Sequence, residues 1–160
     1  MKQMMLCLLA AAALAGCVSM STEAPGTGGA KEARIAFDIT DTATQPLIVK
    51  LETIETTRKQ LIDAGLTPKI VIAFRGNASY YTQTDLTLVK EADRADALKI
   101  RALIKELRQS NGVEGVEQCN LPLASRKIKP QQLMQEVKLV PNGWISLAEY
   151  QRKGYAYIAP

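Results

Sequence analysis

The residues able to do chemistry in this chain are few, and the most reactive of them is a cysteine. Cys119 closes the run Gly115-Val116-Glu117-Gln118-Cys119, and Asn120 follows it. A thiolate is the nucleophilic form of cysteine, and a nearby cation or helix N-terminus favours it. Two further runs end in polar groups. Lys69 to Phe74 ends at Arg75-Gly76-Asn77, and Arg34 to Ile39 ends in the segment Asp38 to Asp41. Arg75 is the first candidate cation beside the thiol, and Arg126 and Lys127 are others. The backbone after Gly76 could hold an anion. Each residue also has a plainer reading. Cys119 is then a small buried apolar residue, and Arg75 belongs to a surface ion pair. Asp38 and Asp41 read as turn formers and helix caps. Tyr80 and Tyr81 read as packing or subunit contacts, and Trp144 as core or interface.

The composition excludes several chemistries. There is no histidine, which removes imidazole bases, histidine-dependent triads and His-ligated zinc. No Gly-rich phosphate cradle follows the first run, so no nucleotide cofactor is expected, and one domain thiol with no imidazole cannot close a typical zinc site, so no metal is expected either. The net charge of +4 is scattered and aromatics are only 5% of residues, so nucleic acid is not an expected partner.

The N-terminus reads as a processing signal. After Lys2, an apolar or small stretch runs from Met4 to Ala15. It is shorter than the ~20 residues a bilayer span needs and has the length of a signal-peptide core. It ends in Leu14-Ala15-Gly16-Cys17, which resembles the lipobox of bacterial lipoproteins. The likeness implies cleavage before Cys17 and acyl chains on that cysteine, which together make a stable membrane anchor. An uncleaved signal anchor or a plain secretory signal is the alternative. Val18 in place of Asp after the cysteine leans towards the outer membrane. The expected organisation is a signal peptide over residues 1–16, a lipidated Cys17 with a Gly/Ser/Thr/Ala/Pro-rich tether over 17–33, and a globular domain over 34–160 on the periplasmic side of the envelope. Cys7 then leaves with the signal and Cys17 becomes a thioether. Cys119 remains as the single thiol of the domain, so no intramolecular disulfide can form.

The elements that must position these groups follow from periodicity. Arg34–Ile39, Lys69–Phe74, Gly115–Cys119, Val137–Val140 and Tyr155–Ile158 read as strands. A helix from about Pro46 to Gly65 carries Leu47, Ile48, Leu51, Ile54, Leu61 and Ile62 at helical spacing. A second, from Asp93 to Gln109, presents Ala95, Leu98, Ala102, Leu103 and Leu107 as its inner face and stops at Asn111-Gly112. Leu121–Arg126 reads as a short helix whose N-terminus would serve the thiol, Pro130–Met134 as a turn, and Trp144–Lys153 as a last helix with Ile145, Leu147 and Ala148 inward. Strands alternating with helices imply a largely parallel sheet covered on both faces. Ligands of such sheets bind beyond the carboxyl ends of the strands, where the polar run ends gather.

The ordered segments RIAFDITD, KIVIAFRGNAS, GVEGVEQCNLPLASRKI and VKLVPNGWISLAEYQRKGYAYIAP together resemble the DsrE/DsrF-like family, which includes bacterial sulfur-relay proteins. The resemblance implies a flavodoxin-like, three-layer αβα sandwich with a mostly parallel five-stranded sheet. It also implies homo-oligomers, often trimers or hexamers. In relay members the position matching Cys119 carries a persulfide, which implies attack by Cys119 on a sulfane-sulfur donor and transfer to an acceptor thiol. Arg75, Gly76, Asn77 and Asn120 would bind the ligand. Two features depart from the pattern: an exported, anchored chain, and Arg-Gly-Asn where many members have His-Gly. The competing expectation is a non-catalytic oligomeric binding or assembly lipoprotein in which Cys119 is structural.

Overall fold

A computed structural model describes Gly29 and residues 31–160. The expected signal peptide, the lipidation site Cys17 and most of the tether lie outside the described residues. Among the described residues no helix is long and apolar enough to cross a membrane.

The strands are β1 (Glu32–Ile39), β2 (Thr67–Phe74), β3 (Val113–Cys119), β4 (Lys138–Val140) and β5 (Ala156–Ile158). The α-helices are α1 (Thr44–Asp63), α2 (Arg94–Gln109), α3 (Leu121–Ser125) and α4 (Gly143–Arg152). The five strands form one sheet in the order β4-β3-β2-β1-β5, and every pairing is parallel. The expected α/β sandwich is therefore present with a wholly parallel sheet.

This order decides where the site lies. From β1 to β4 the chain steps in one direction, and right-handed crossovers place α1 and α2 on one face. From β4 to β5 it returns across the whole sheet, carried by α4 on the other face, where α4 packs on β1, β2 and β3. The connections leaving β3 and β4 thus diverge, which is where parallel sheets open a crevice.

The strands bury both faces. Towards α1 and α2 they send Phe37, Ile39, Ile70, Ile72 and Phe74, which meet Leu47, Leu51 and Ile54 of α1 and Ile100 and Ile104 of α2. Towards α4 they send the small Ala36 and Ala73, which meet Leu147 with Tyr150 and Tyr155 beside it. Alternation along β1 therefore places Asp38 on the α4 side, two residues after Ala36.

Three sequence-based packing expectations are corrected. The buried stripe of α2 is Ala97, Ile100, Ile104 and Leu107, whereas Leu98 is 55% exposed, and Ala95 and Ala102 are also exposed. Helix α2 carries two apolar stripes offset by two residues, about 200° and so on nearly opposite faces, and the larger Ile pair takes the sheet. On α4 only Leu147 of the expected three is buried, and Ile145 is exposed. Trp144 is 65% exposed and is not a core residue. On α1 the stripe ends at Ile54, and the next buried position is Arg58, which donates to the Asn111 carbonyl at 3.0 Å.

A buried polar network joins β3 to the 3-10 turn Gly76–Tyr81. Gln118 Nε2 donates to Ser79 Oγ at 2.7 Å and to the Cys119 carbonyl at 2.8 Å. Thr82 Oγ1 donates to Gln118 Oε1 at 2.8 Å, and Ser79 Oγ donates to the Gly76 carbonyl at 2.8 Å. Ser79, Thr82 and Gln118 are fully buried, so every lost partner costs desolvation that nothing returns. Ser79→Ala is expected to lower stability by about 1–2 kcal/mol, read as a lower urea midpoint with an unchanged slope.

Candidate functional site

Cys119 ends β3 and faces α4. It is 4% exposed. Its Sγ accepts a hydrogen bond of 3.1 Å from the Gly143 N–H, the first amide of α4. Asn142 caps that helix by accepting from the Trp144 N–H at 3.0 Å. A helix N-terminus carries partial positive charge and favours an anionic sulfur against it. The helix expected to supply this N-terminus was Leu121–Arg126. The amide that reaches Sγ belongs instead to α4, because the return across the sheet brings α4 over β3.

Gly143 is fixed by close approach. A Cβ built there would lie 2.7 Å from Arg75 Cδ and 3.0 Å from both Arg75 Cγ and Cys119 Cβ. Only a residue with no side chain lets the α4 backbone sit between the arginine stem and the thiol. Neither Asn142 nor Gly143 was among the expected site residues, although Pro141-Asn142-Gly143 just before an apolar helix is a start signal.

Arg75 and Asp38 are a pair on the same edge. Arg75 Nε donates to Asp38 Oδ1 at 2.8 Å and Nη2 bonds Oδ2, while Tyr157 Oη donates to Oδ2 at 2.7 Å. Asp38 is 4% exposed, so this is a partly buried ion pair and not the surface pair expected for Arg75. The carboxylate raises the arginine's affinity for its proton, against the opposing effect of burial. The guanidinium lies over the Trp144 ring at 5.4 Å. The expected roles of Asp38 and Asp41 in turns and caps are corrected. Asp38 anchors Arg75, and Asp41 pairs with Lys50 at 2.7 Å. The N-cap of α1 is Ala43, without a side-chain cap.

A cavity of about 330 Å³ opens beside the thiol, lined by Cys119, Arg75, Gly76, Arg126, Trp144 and neighbouring residues. Gly76 lines it with φ +55, a left-handed value that a Cβ disfavours. Asn77 is in the second rank. Its Oδ1 accepts from Arg126 Nη2 at 2.7 Å and Nε at 3.2 Å, so it aims that arginine. Asn120 lies apart. It is exposed, and its backbone N–H bonds the Val140 carbonyl at 2.9 Å. Lys127 is exposed too and does not line the cavity. Tyr81 is buried and donates to the Thr42 carbonyl at 2.8 Å, so it packs, as expected.

One buried acid was missed. Glu117 shares the α4 face with Cys119 and is 3% exposed. It accepts from Ser146 Oγ and from Tyr150 Oη, the latter at 3.0 Å. These bonds hold α4 on β3 and so hold Gly143 against the thiol. Tyr155 bonds Glu114 in the same way. Burial first, and then Glu117, raise Tyr150 above the ordinary tyrosine value. Burial and Glu114 push Tyr155 from 10.0 up to about 12. A raised phenol binds its proton more tightly folded than unfolded. Its stabilisation is therefore complete below about pH 10 and is lost as pH rises through the folded value. Phenolate absorbance is expected to show a late component that Tyr150→Phe and Tyr155→Phe each reduce, with stability falling over the same alkaline interval.

The geometry defines a class: a parallel αβα sandwich presenting one thiol at a strand end, against a helix N-terminus and beside two arginines. The chain belongs to the DsrE/DsrF-like family, whose model matches residues 18–160. An uncharacterised protein of Aquifex aeolicus is 30% identical over 110 residues, covering 69% of this chain. The chain spans about half, 48%, of that relative's length. The structure of MTH1491 from Methanobacterium thermoautotrophicum, a protein of unknown function, matches with a TM-score of 0.60. That match covers 81% of this chain and 100% of the other at 17% identity, and it shows a shared fold.

Proposed function

We propose that this chain carries sulfane sulfur as a persulfide on Cys119 while anchored in the cell envelope through Cys17. The observation that carries the reading is the α4 amide on the Cys119 sulfur at the wall of a cavity. In the first step the Cys119 thiolate attacks the outer sulfur of a donor persulfide, R–S–SH. The donor S–S bond breaks, R–S⁻ leaves, and the proton stays on the transferred sulfur. Cys119 then holds S–SH. An acceptor thiolate takes that outer sulfur and returns the Cys119 thiolate, so no external oxidant or reductant is consumed. The Gly143 amide serves the anionic sulfur before and after each transfer.

The anchor and the periplasmic, outer-membrane location rest on the lipobox-like Leu14-Ala15-Gly16-Cys17 followed by Val18. A homo-oligomer, trimer or hexamer, is supported by the exposed Leu121 and Trp144 at the cavity rim, which another copy of the chain would cover. The low exposure of Cys119 favours a second reading, a non-catalytic binding or assembly lipoprotein with a structural thiol.

The deciding experiment is a polysulfide pulse on the purified protein, followed by intact mass with and without reductant. A reductant-sensitive gain of one sulfur at Cys119 supports the carrier. A thiol that gains nothing, and that alkylates only after denaturation, supports the structural reading.

A further inference from the structure

The geometry points to Arg126 as the residue that selects the donor: the cavity beside Cys119 takes a small organic anion, its carboxylate on the Arg126 guanidinium and its reactive sulfur on Cys119. This deepens the carrier reading and rests on it.

The charge inventory of the cavity makes the argument. Asp38 matches Arg75 through two bonds. Arg126 has no such match among the described residues. Its partners are all neutral: the Asn77 amide oxygen, the Pro122 carbonyl and the Ser125 hydroxyl. Among the described residues no Asp or Glu lines the cavity, and its other walls include the apolar Leu121, Pro122 and Trp144. The space therefore has one unmatched positive charge, an apolar wall and a thiol. Arg126 Nη1 makes only long bonds, at 3.3 Å to Pro122 and 3.2 Å to Ser125, which a carboxylate oxygen replaces with a stronger, charge-assisted one. Asn77 meanwhile keeps the guanidinium pointed by holding Nε and Nη2. A volume of about 330 Å³ lies at the small end of ligand cavities, ~300–1,000 Å³, and suits a molecule of few atoms.

The test compares matched reagents on the full chain. The persulfides of mercaptopropionate, mercaptopropanol and aminopropanethiol differ in charge at nearly constant size. Sulfur loading of Cys119, followed by intact mass, is expected to be about tenfold faster or more from the anionic donor than from the neutral one, and slowest from the cationic one. Arg126→Gln is expected to erase the preference, and Arg126→Lys to restore part of it. Equal loading from anionic and neutral donors overturns the assignment.

A second arm does not depend on sulfur transfer. Iodoacetate and iodoacetamide both alkylate a thiolate by displacing iodide, and only iodoacetate carries a carboxylate. Their rate ratio at Cys119, divided by the ratio for the denatured chain, is expected to favour iodoacetate and to fall to the denatured value in Arg126→Gln. If this preference holds while no persulfide loads Cys119, the carrier reading falls and the anion site stands. If the ratio equals the denatured value in the unmodified protein, the anion site falls.

Discussion

Cys119→Ser is expected to abolish sulfur loading completely while lowering the melting temperature by only a few degrees. A hydroxyl is not ionised at neutral pH and forms no stable persulfide analogue, so no residual activity should survive. The fold should survive, because Ser Oγ occupies nearly the position of Sγ and can still accept from the Gly143 N–H, which reaches the sulfur at 3.1 Å. Exchanging a buried thiol for a better-solvated hydroxyl costs about 1–2 kcal/mol, worth about 2–4 °C per kcal/mol in a chain of this size. Intact mass after a polysulfide pulse, set beside a thermal melt, separates lost chemistry from lost structure. A variant that still gained reductant-sensitive sulfur would place the acceptor atom elsewhere and overturn the carrier assignment.

The second large effect is expected at Gly143. Gly143→Ala introduces a methyl 2.7 Å from Arg75 Cδ and 3.0 Å from Cys119 Cβ. Arg75 cannot swing aside freely, because its guanidinium is held by Asp38 and lies over Trp144. Helix α4 is itself held on β3 by the bonds from Ser146 and Tyr150 to Glu117. Overpacking at such a point costs about 1–3 kcal/mol and draws the first α4 amide away from the sulfur. Sulfur loading should slow by about tenfold or more, in line with losing one charge-assisted hydrogen bond of about 1.5–3 kcal/mol. Gly115→Ala is the matching control on the strand that carries Cys119. A Cβ at Gly115 meets nothing within 4 Å, so stability and loading should both hold. Loading unchanged in Gly143→Ala would remove the amide contact from the mechanism.

These two positions mark how much of the site the chain announces. Cys119 was legible because it ends a strand-like run in a chain without histidine whose other two cysteines fall in the N-terminal signal-like segment, which leaves few competitors for reactive chemistry. Arg75 was legible because it directly follows the strand Thr67–Phe74. Gly143 was not, since its role depends on how closely two segments pass, and a single glycine reports no distance. Glu117 was hidden for a related reason. Within GVEGVEQC it reads as the polar half of a strand alternation, and its burial depends on Ser146 and Tyr150 arriving from α4. Asp38 looked like a turn residue next to Thr40 and Asp41 until β2 placed Arg75 beside it.

The α2 helix makes the same point in packing. Its existence and ends followed from its spacing and from Asn111-Gly112. Its buried stripe did not, because Ala95–Leu98–Ala102 and Ala97–Ile100–Ile104 both satisfy helical periodicity. Local sequence was thus sufficient for the order and type of the elements, the parallel class of the sheet and the identity of the candidate nucleophile. These depend on residue types at short separations along the chain. The pairing of Asp38 with Arg75, the seat of Gly143 against Cys119 and the unmatched charge of Arg126 join residues far apart in sequence. They were decided only when the β4 to β5 return laid α4 across the sheet, since no local propensity encodes which distant groups share one edge.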